Sequence, residues 1–220
     1  QSGQVEAGGF VPSGVYDADG ADGDDFRTVG GDYYKPTDAD YEANCDEARQ
    51  LLADAGYPNG EGFPVVEYLY NTSDAHKAVA EALQFMWEEE LGVKVTLNNQ
   101  EWAAFLQTRK DGDYSIARNG WIADYNDPIS FLDMWMTGGG NNDAQYANDD
   151  YDALIKQAKT TTDNAERMDL LHQAEDKLIG EDSVLAPLYF YTQKYMLADG
   201  IEGMYYCPLG YFFFGYTHQA

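Results

Sequence analysis

Positive charge is the scarcest property of this chain. Lysine and arginine supply 13 of 220 residues against 39 aspartates and glutamates, a formal net charge of -26. Such a balance opposes a nucleic-acid backbone or an anionic membrane surface as partner. Cysteine is nearly absent: Cys45 and Cys207 are far apart and neither belongs to a CxxC pair, so no metal or redox motif exists, and one disulfide between them is left open. Three separated histidines spell no metal cluster. No apolar run approaches the roughly 18 residues needed to span a bilayer, and no signal peptide opens the chain. It therefore reads either as a cytoplasmic protein or as a mature chain or fragment without its targeting segment. GxSxG, HExxH, P-loop and GxGxxG patterns are all missing, and no acid pair is singled out for glycoside hydrolysis. Binding is favoured over catalysis, and no cofactor is expected.

What is present suffices for a core. Hydrophobic residues make up 44% of the chain. The first 36 residues are rich in Gly, Asp and Pro, and "DADGADGDD" reads as a solvated loop. Calcium would be the sharper reading of so many oxygens, but the DxDxDG spacing and a twelfth-position Glu are missing. Beyond residue 36 the pattern sharpens. Ala48, Leu51, Leu52 and Ala55 recur at helical spacing until Gly56 and Pro58. "PVVEYLYN" reads as a strand, and a helix capped at Ser73 or Asp74 carries Val79, Leu83 and Met86 to Gly92. "VKVTL" is a second strand, "EWAAFLQTRK" a helix, and "YSIAR" a third strand. Asp127 and Pro128 then offer a cap and first-turn proline to "ISFLDMWM". This β-α-β-α-β order predicts a parallel sheet with right-handed crossovers. Two helices follow, around "YDALIKQAK" and from Asp163 to Leu178, with Asp163 and Glu166 at the cap and third positions. "VLAPLYFYTQKYML" reads as strand. The aromatic end, with Phe212, Phe213 and Phe214 in a row, is expected to complete the sheet or dock on a part of the protein outside this chain.

Ligands of open parallel sheets bind beyond the carboxyl ends of the strands. "NTSDAH", "NNQEW" and "NGWIAD" occupy those ends, which predicts that His76, Trp102, Trp121 and Asp124 gather on one edge. His76 lies in a first helical turn, where free amides favour an anion, or it is an ordinary surface histidine; both stay open. Trp102 and Trp121 follow strand ends rather than filling strand interiors, which points to a pocket wall more than to core. Asp127 has a role as a cap, whereas Asp124 has none from the local pattern. A carboxylate beside an indole in a partly dry cleft suits an ammonium group. Arg109, near a helix end, can complement the helix dipole. Arg118 ends an otherwise apolar strand and is harder to dismiss.

"YNTSDAHKAVAEALQFMWEEELGV", "NQEWAAFLQTRKDGDY" and "ARNGWIADYNDPISFL" together resemble the oligopeptide-binding receptors of peptide ABC transporters, within solute-binding protein family 5. The resemblance runs from "EARQLLADAGYPNG" to "APLYFYTQKYML", with "GFVPSG" also similar upstream. It implies an α/β fold: a type II periplasmic-binding-protein-like lobe with a mostly parallel central sheet flanked by helices. It further implies that Asp124 meets the peptide α-amino group, that main-chain groups at Gly120 and Ile122 pair with the peptide backbone, and that Trp102 and Trp121 line side-chain pockets. His76, Arg109 and Arg118 match basic positions that meet the peptide carboxylate. The implied partners are short peptides, an ABC permease and a missing N-terminal lobe, and the implied location is extracytoplasmic, periplasmic or as a cell-surface lipoprotein. On this reading residues 1–36 are an acidic lead-in from the preceding lobe, 37–200 the ligand-binding lobe, and 201–220 a tail returning towards the missing lobe. A sugar or metal-chelate receptor of the same family, and an accessory domain of a peptidase or glycosidase, are the alternatives.

Overall fold

The computed structural model describes residues 3–35, 37–207 and 209–220. Along the chain come β1 (Val5–Glu6), α1 (Phe26–Gly30), α2 (Tyr41–Asp54), β2 (Val66–Asn71), α3 (Asp74–Leu91), β3 (Val95–Gln100), α4 (Trp102–Asp111) and β4 (Ile116–Ala117). Then follow α5 (Ile129–Leu132), α6 (Asp149–Ala158), α7 (Asn164–Glu175), β5 (Tyr189–Phe190), β6 (Ile201–Glu202), β7 (Tyr205–Cys207), β8 (Tyr211–Phe213) and β9 (His218–Gln219). They belong to two compact units. One comprises Lys35–Gly120 and Gly140–Tyr146, the other Gln1–Tyr34, Trp121–Gly139 and Ala147–Ala220. The units interleave in sequence, so this division differs from the expected cuts at 36 and 200; residue 36 itself lies outside the described residues.

In the first of these units the expected β-α-β-α-β order forms a three-stranded sheet in the order β3-β2-β4. Both pairings are parallel, with Val66 opposite Val95 through Asn71 opposite Gln100, and Tyr68 opposite Ile116. The central strand must be covered on both faces. Tyr68 and Tyr70 face a core built with Ala80 and Leu83 of α3 and with Val93 and Val95, flanked by Leu52, Phe63, Met86 and Trp87. Leu69 alternates to the opposite face, where α4 packs against β2, and both Leu69 and Phe105 are fully buried. α3 stops at Gly92, whose left-handed φ of 66° suits glycine, and a Cβ there would strike the Asn59 carbonyl. The second strand begins and ends later than its apolar pattern suggested, at Val95–Gln100. The third is shorter than "YSIAR", although Arg118 N still donates to Leu69 O at 2.8 Å beside it. Leu51, expected on the buried stripe of α2, is 62% exposed, whereas its neighbour Leu52 packs on the core.

The other unit is held by helices and loops. Phe26, Leu132, Tyr151, Ile155, Leu171, Ala174 and Leu178 are buried completely, and α6 packs along α7. α7 starts as expected, with Asp163 accepting from Glu166 N at 3.0 Å, and continues into a π-helical turn over Asp176–Glu181. The acidic lead-in proves partly structural. Asp25 caps α1 by accepting from Thr28 N, and Asp17 is buried against His172, whose Nε2 lies 2.8 Å from Asp17 Oδ2 while its ring stacks on Phe26. Arg27 and Glu175 form a buried ion pair at 2.9 Å, and the same Glu175 oxygen accepts from Phe10 N and Val11 N. The long strand expected near the C-terminus shrinks to Tyr189–Phe190, paired antiparallel with β1. The aromatic tail does not complete the parallel sheet: among the described residues its strands pair only with one another, β6 with β9 and β7 with β8. Both cysteines are unpaired thiols. No helix among the described residues is long and apolar enough to cross a membrane.

Candidate functional site

The stretch from Trp121 to Ser130 folds back on one residue. Ser130 sits in α5, buried between Ile129 and Phe131, and makes three bonds to its own loop. Its N donates to Asp127 O at 3.1 Å, its Oγ accepts from Asp124 N at 2.9 Å, and its carbonyl accepts from Trp121 Nε1 at 2.7 Å. Further ties hold the loop from outside. Asn126 accepts from Tyr16 N and donates to Gly14 O, and Asp127 accepts from Ile129 N while pairing with Arg167 at 2.8 Å. Asp127 is thus the cap that its position before Pro128 suggested, with an ion pair besides.

Asp124 is the contrasting acid. Its side chain is exposed, and its carboxylate makes no hydrogen bond or ion pair with any described residue, although its main chain is anchored. Ile122 exposes 68% of its surface, and its main chain likewise has no hydrogen bond to a described residue. Tyr125 is half exposed; partial burial, followed by the nearby carboxylates of Asp133, Asp127 and Asp124, raises its hydroxyl above the ordinary value of 10, so it remains a neutral donor at pH 7. Ser130, Asn126 and Arg167 escaped the sequence reading, because bonds to partners as far as 112 positions away, made inside an irregular loop, leave no periodic pattern.

In the sheet-containing unit, His76, Trp102 and Arg118 do stand at the carboxyl edge: in the first turn after β2, at the start of α4 after β3, and just past β4. Trp102 is 53% exposed and stacks on Phe105 with centroids 5.7 Å apart. Partial burial pushes the His76 imidazole below its usual value, as does the nearby Arg118 guanidinium, against a hydrogen bond that the ring donates to the Asn71 backbone. Arg109 is more than a dipole partner. Its Nε lies 2.6 Å from Asp143 Oδ2, one terminal nitrogen donates to Asn119 Oδ1 at 2.9 Å, and its guanidinium lies over the Phe105 ring. Asn119 Oδ1 also accepts from Gly120 N at 2.7 Å, and the Gly120 carbonyl separately has no hydrogen bond to a described residue. The boundary between units falls between Gly120 and Trp121. The expected set accordingly divides, with His76, Trp102, Arg109, Arg118 and Gly120 in one unit and Trp121, Ile122 and Asp124 in the other. Among the described residues no group of three or more His, Cys, Asp and Glu side chains is arranged to hold a metal ion.

A parallel sheet flanked by helices, with chemistry-bearing side chains at its carboxyl edge, defines a lobe of the type II periplasmic-binding-protein class. The family model for bacterial extracellular solute-binding proteins, family 5 (middle part) matches residues 5–143, and the chain belongs to that family. It is 39% identical over 191 residues to the dipeptide-binding protein DppE of Bacillus subtilis, covering 86% of this chain and 34% of that one. Against the periplasmic oligopeptide-binding protein OppA of Salmonella typhimurium the identity is 40% over 158 residues, 72% of this chain and 29% of the other. Among solved structures, Haemophilus influenzae OppA in complex with the peptide RPPGFSPFR superposes with a TM-score of 0.72 at 30% identity, covering 92% of this chain and 37% of that one. The substrate-binding domain of an oligopeptide ABC transporter from Bacillus anthracis gives 0.76 at 28% identity, covering 99% and 41%. These relatives are binding proteins by name, and the chain spans about a third of the length of the curated ones.

Proposed function

We propose that this chain is part of an extracytoplasmic oligopeptide receptor that delivers short peptides to an ABC permease, and that Asp124 binds the peptide α-amino group. The observation that carries this reading is Asp124 itself: an acid whose backbone is fixed by Ser130 while its carboxylate is exposed and pairs with no described residue. An ammonium ion supplies what such a carboxylate lacks, a charge-assisted donor. The unpaired Gly120 carbonyl and the Ile122 main chain are ready to pair with an added peptide strand, and this backbone pairing accepts many sequences. Trp121 and Trp102 offer pocket walls. Arg118 and His76 receive the peptide carboxylate, the arginine by charge and the largely neutral histidine as a hydrogen-bond donor. Arg109, already paired with Asp143, braces the Asn119–Gly120 segment that leads into the loop. A lobe outside this chain provides the remaining wall, the tail over 201–220 returns towards it, and closure around peptide presents the receptor to the permease.

The test is Asp124→Asn in the full-length receptor, with peptide affinity measured by calorimetry. Loss of one partner of a ligand charge pair costs roughly 2 to 5 kcal/mol. An unchanged affinity rejects the role of Asp124. A ligand without an amine, retained equally by both forms, moves the protein to a sugar- or chelate-binding branch of its family.

A further inference from the structure

The proposed anchor needs more than a free carboxylate. An acid on a mobile loop must be ordered when ligand arrives, and the entropy of that ordering is subtracted from the affinity. Asp124 has few local ties that could order it. No main-chain N–H of residues 121–126 donates to a backbone carbonyl of a described residue; the first such bond is Asp127 N to Tyr125 O at 3.0 Å. The position of Asp124 is decided instead by Ser130. Its hydroxyl accepts from the Asp124 amide at 2.9 Å, and its carbonyl accepts from the Trp121 indole at 2.7 Å. Ser130 is 4% exposed, and its neighbours Ile129, Phe131 and Leu132 are all in the core. One buried residue therefore ties both the acid and the aromatic wall of the loop to the core of its unit.

From this geometry we infer that Ser130 is a positioning residue for recognition of the ligand amine, acting through the Asp124 backbone without touching the ligand. This inference rests on the reading of Asp124 as the amine anchor. A hydroxyl is suited to the task. Its oxygen accepts the amide hydrogen bond without carrying charge, whereas a charged acceptor there would repel the Asp124 carboxylate. Supporting contacts of this kind hold a binding group to within about half an ångström of its productive place.

The experiment compares wild type, Ser130→Ala and Asp124→Asn in the full-length receptor. Calorimetry measures affinity for trialanine and for N-acetyl-trialanine, and thermal melts accompany it. Ser130→Ala is expected to weaken free trialanine by about tenfold, the usual scale for a lost hydrogen bond with its donor left unpaired, and to weaken the acetylated peptide much less. The ratio of the two affinities should contract towards that of Asp124→Asn, with Tm little changed. A purely structural role would lower Tm and both affinities together, leaving the ratio where it was, and that result overturns the inference. Ser130→Cys preserves the volume with a weak acceptor and carries the same comparison if the alanine form does not fold. If Asp124→Asn leaves the ratio untouched, the amine-anchor reading fails first. If Asp124→Asn collapses it and neither Ser130 variant does, only the positioning role falls.

Discussion

The two units differ in how deeply they place their polar groups. In the sheet-containing unit, charged side chains gather near the surface around regular elements. Arg109 with Asp143, and Arg49 with Asp46 and Glu90, are ion pairs whose members keep some contact with water. The helical unit has exposed pairs of this kind as well, such as Lys159 with Asp133, but adds ties that are deep and irregular. Arg27 and Glu175 pair in the core, Asp17 reaches His172, and Ser130 clasps a loop with no strand or long helix of its own. Regular hydrogen bonding places the first unit's edge residues, whereas single buried side chains place the second unit's loop. With 39 acids and 13 cations, most acids must lack a cationic partner, so an unpaired acid alone signifies little. Asp124 is set apart by its place: its amide is held by the buried Ser130 hydroxyl, and its carboxylate is exposed in the loop that begins at Trp121.

The largest expected effect strikes the irregular unit. Glu175→Gln leaves the buried Arg27 with only the more distant, half-exposed Asp32 at 3.8 Å as counter-charge, and breaking such a buried pair costs about 3 to 5 kcal/mol, measurable by urea denaturation. A loss below about 1 kcal/mol, the range of exposed pairs, would erase the contrast between the units. Next comes Asp124→Asn, which should reduce peptide affinity by roughly 2 to 5 kcal/mol while leaving stability within about 0.5 kcal/mol, as for surface substitutions away from structural ties. A comparable loss of stability would mean that its carboxylate has structural work in the fold. Arg109→Met should cost about 1.5 to 3 kcal/mol, the scale of hydrogen bonds to charged groups, by releasing Asp143 and Asn119; urea titration of that variant sharpens the comparison with Glu175.

The smallest effect concerns pH. His76 is held below its ordinary value of 6.5 by burial and then by Arg118. The unfolded chain therefore binds the proton more readily than the folded one. As pH falls from about 6.5 towards the folded value, stability declines, and as pH rises through the same window it returns. His76→Asn should flatten that part of the curve, read as the change in Tm between pH 5.5 and 7.5. An identical slope in both forms would remove His76 from the acid response.

Legibility followed regularity. The β-α-β-α-β order was visible because apolar residues recur at strand or helix spacing, and Ser73, Gly92 and Asp163 mark helix ends through local geometry. The strand ends were less legible, since Asn98, Asn99 and Gln100 are polar yet continue β3 beside the buried half of β2. The early acidic stretch concealed Asp17 and Asp25 because their partners, His172 and the Gly14 and Thr28 amides, cannot be seen in composition. The run "VLAPLYFYTQKYML" read as one long strand, but only Tyr189–Phe190 pairs, with β1; beyond it the aromatic tail turns at Gly200, Gly203 and Gly210, all at positive φ, into short self-paired strands.

Sequence alone determined the parallel order of the sheet, the family resemblance and the singling out of Asp124, because each depends on residues close together in the chain. Tertiary structure alone decided that Arg109 is already paired, that Gly120 and Trp121 belong to different units, and that Ser130 holds the loop between Trp121 and Asp124. Periodicity reports which face of an element is buried. It carries no information about which distant donor meets which acceptor, and that pairing is made only when the cores close around Phe105 and Leu132.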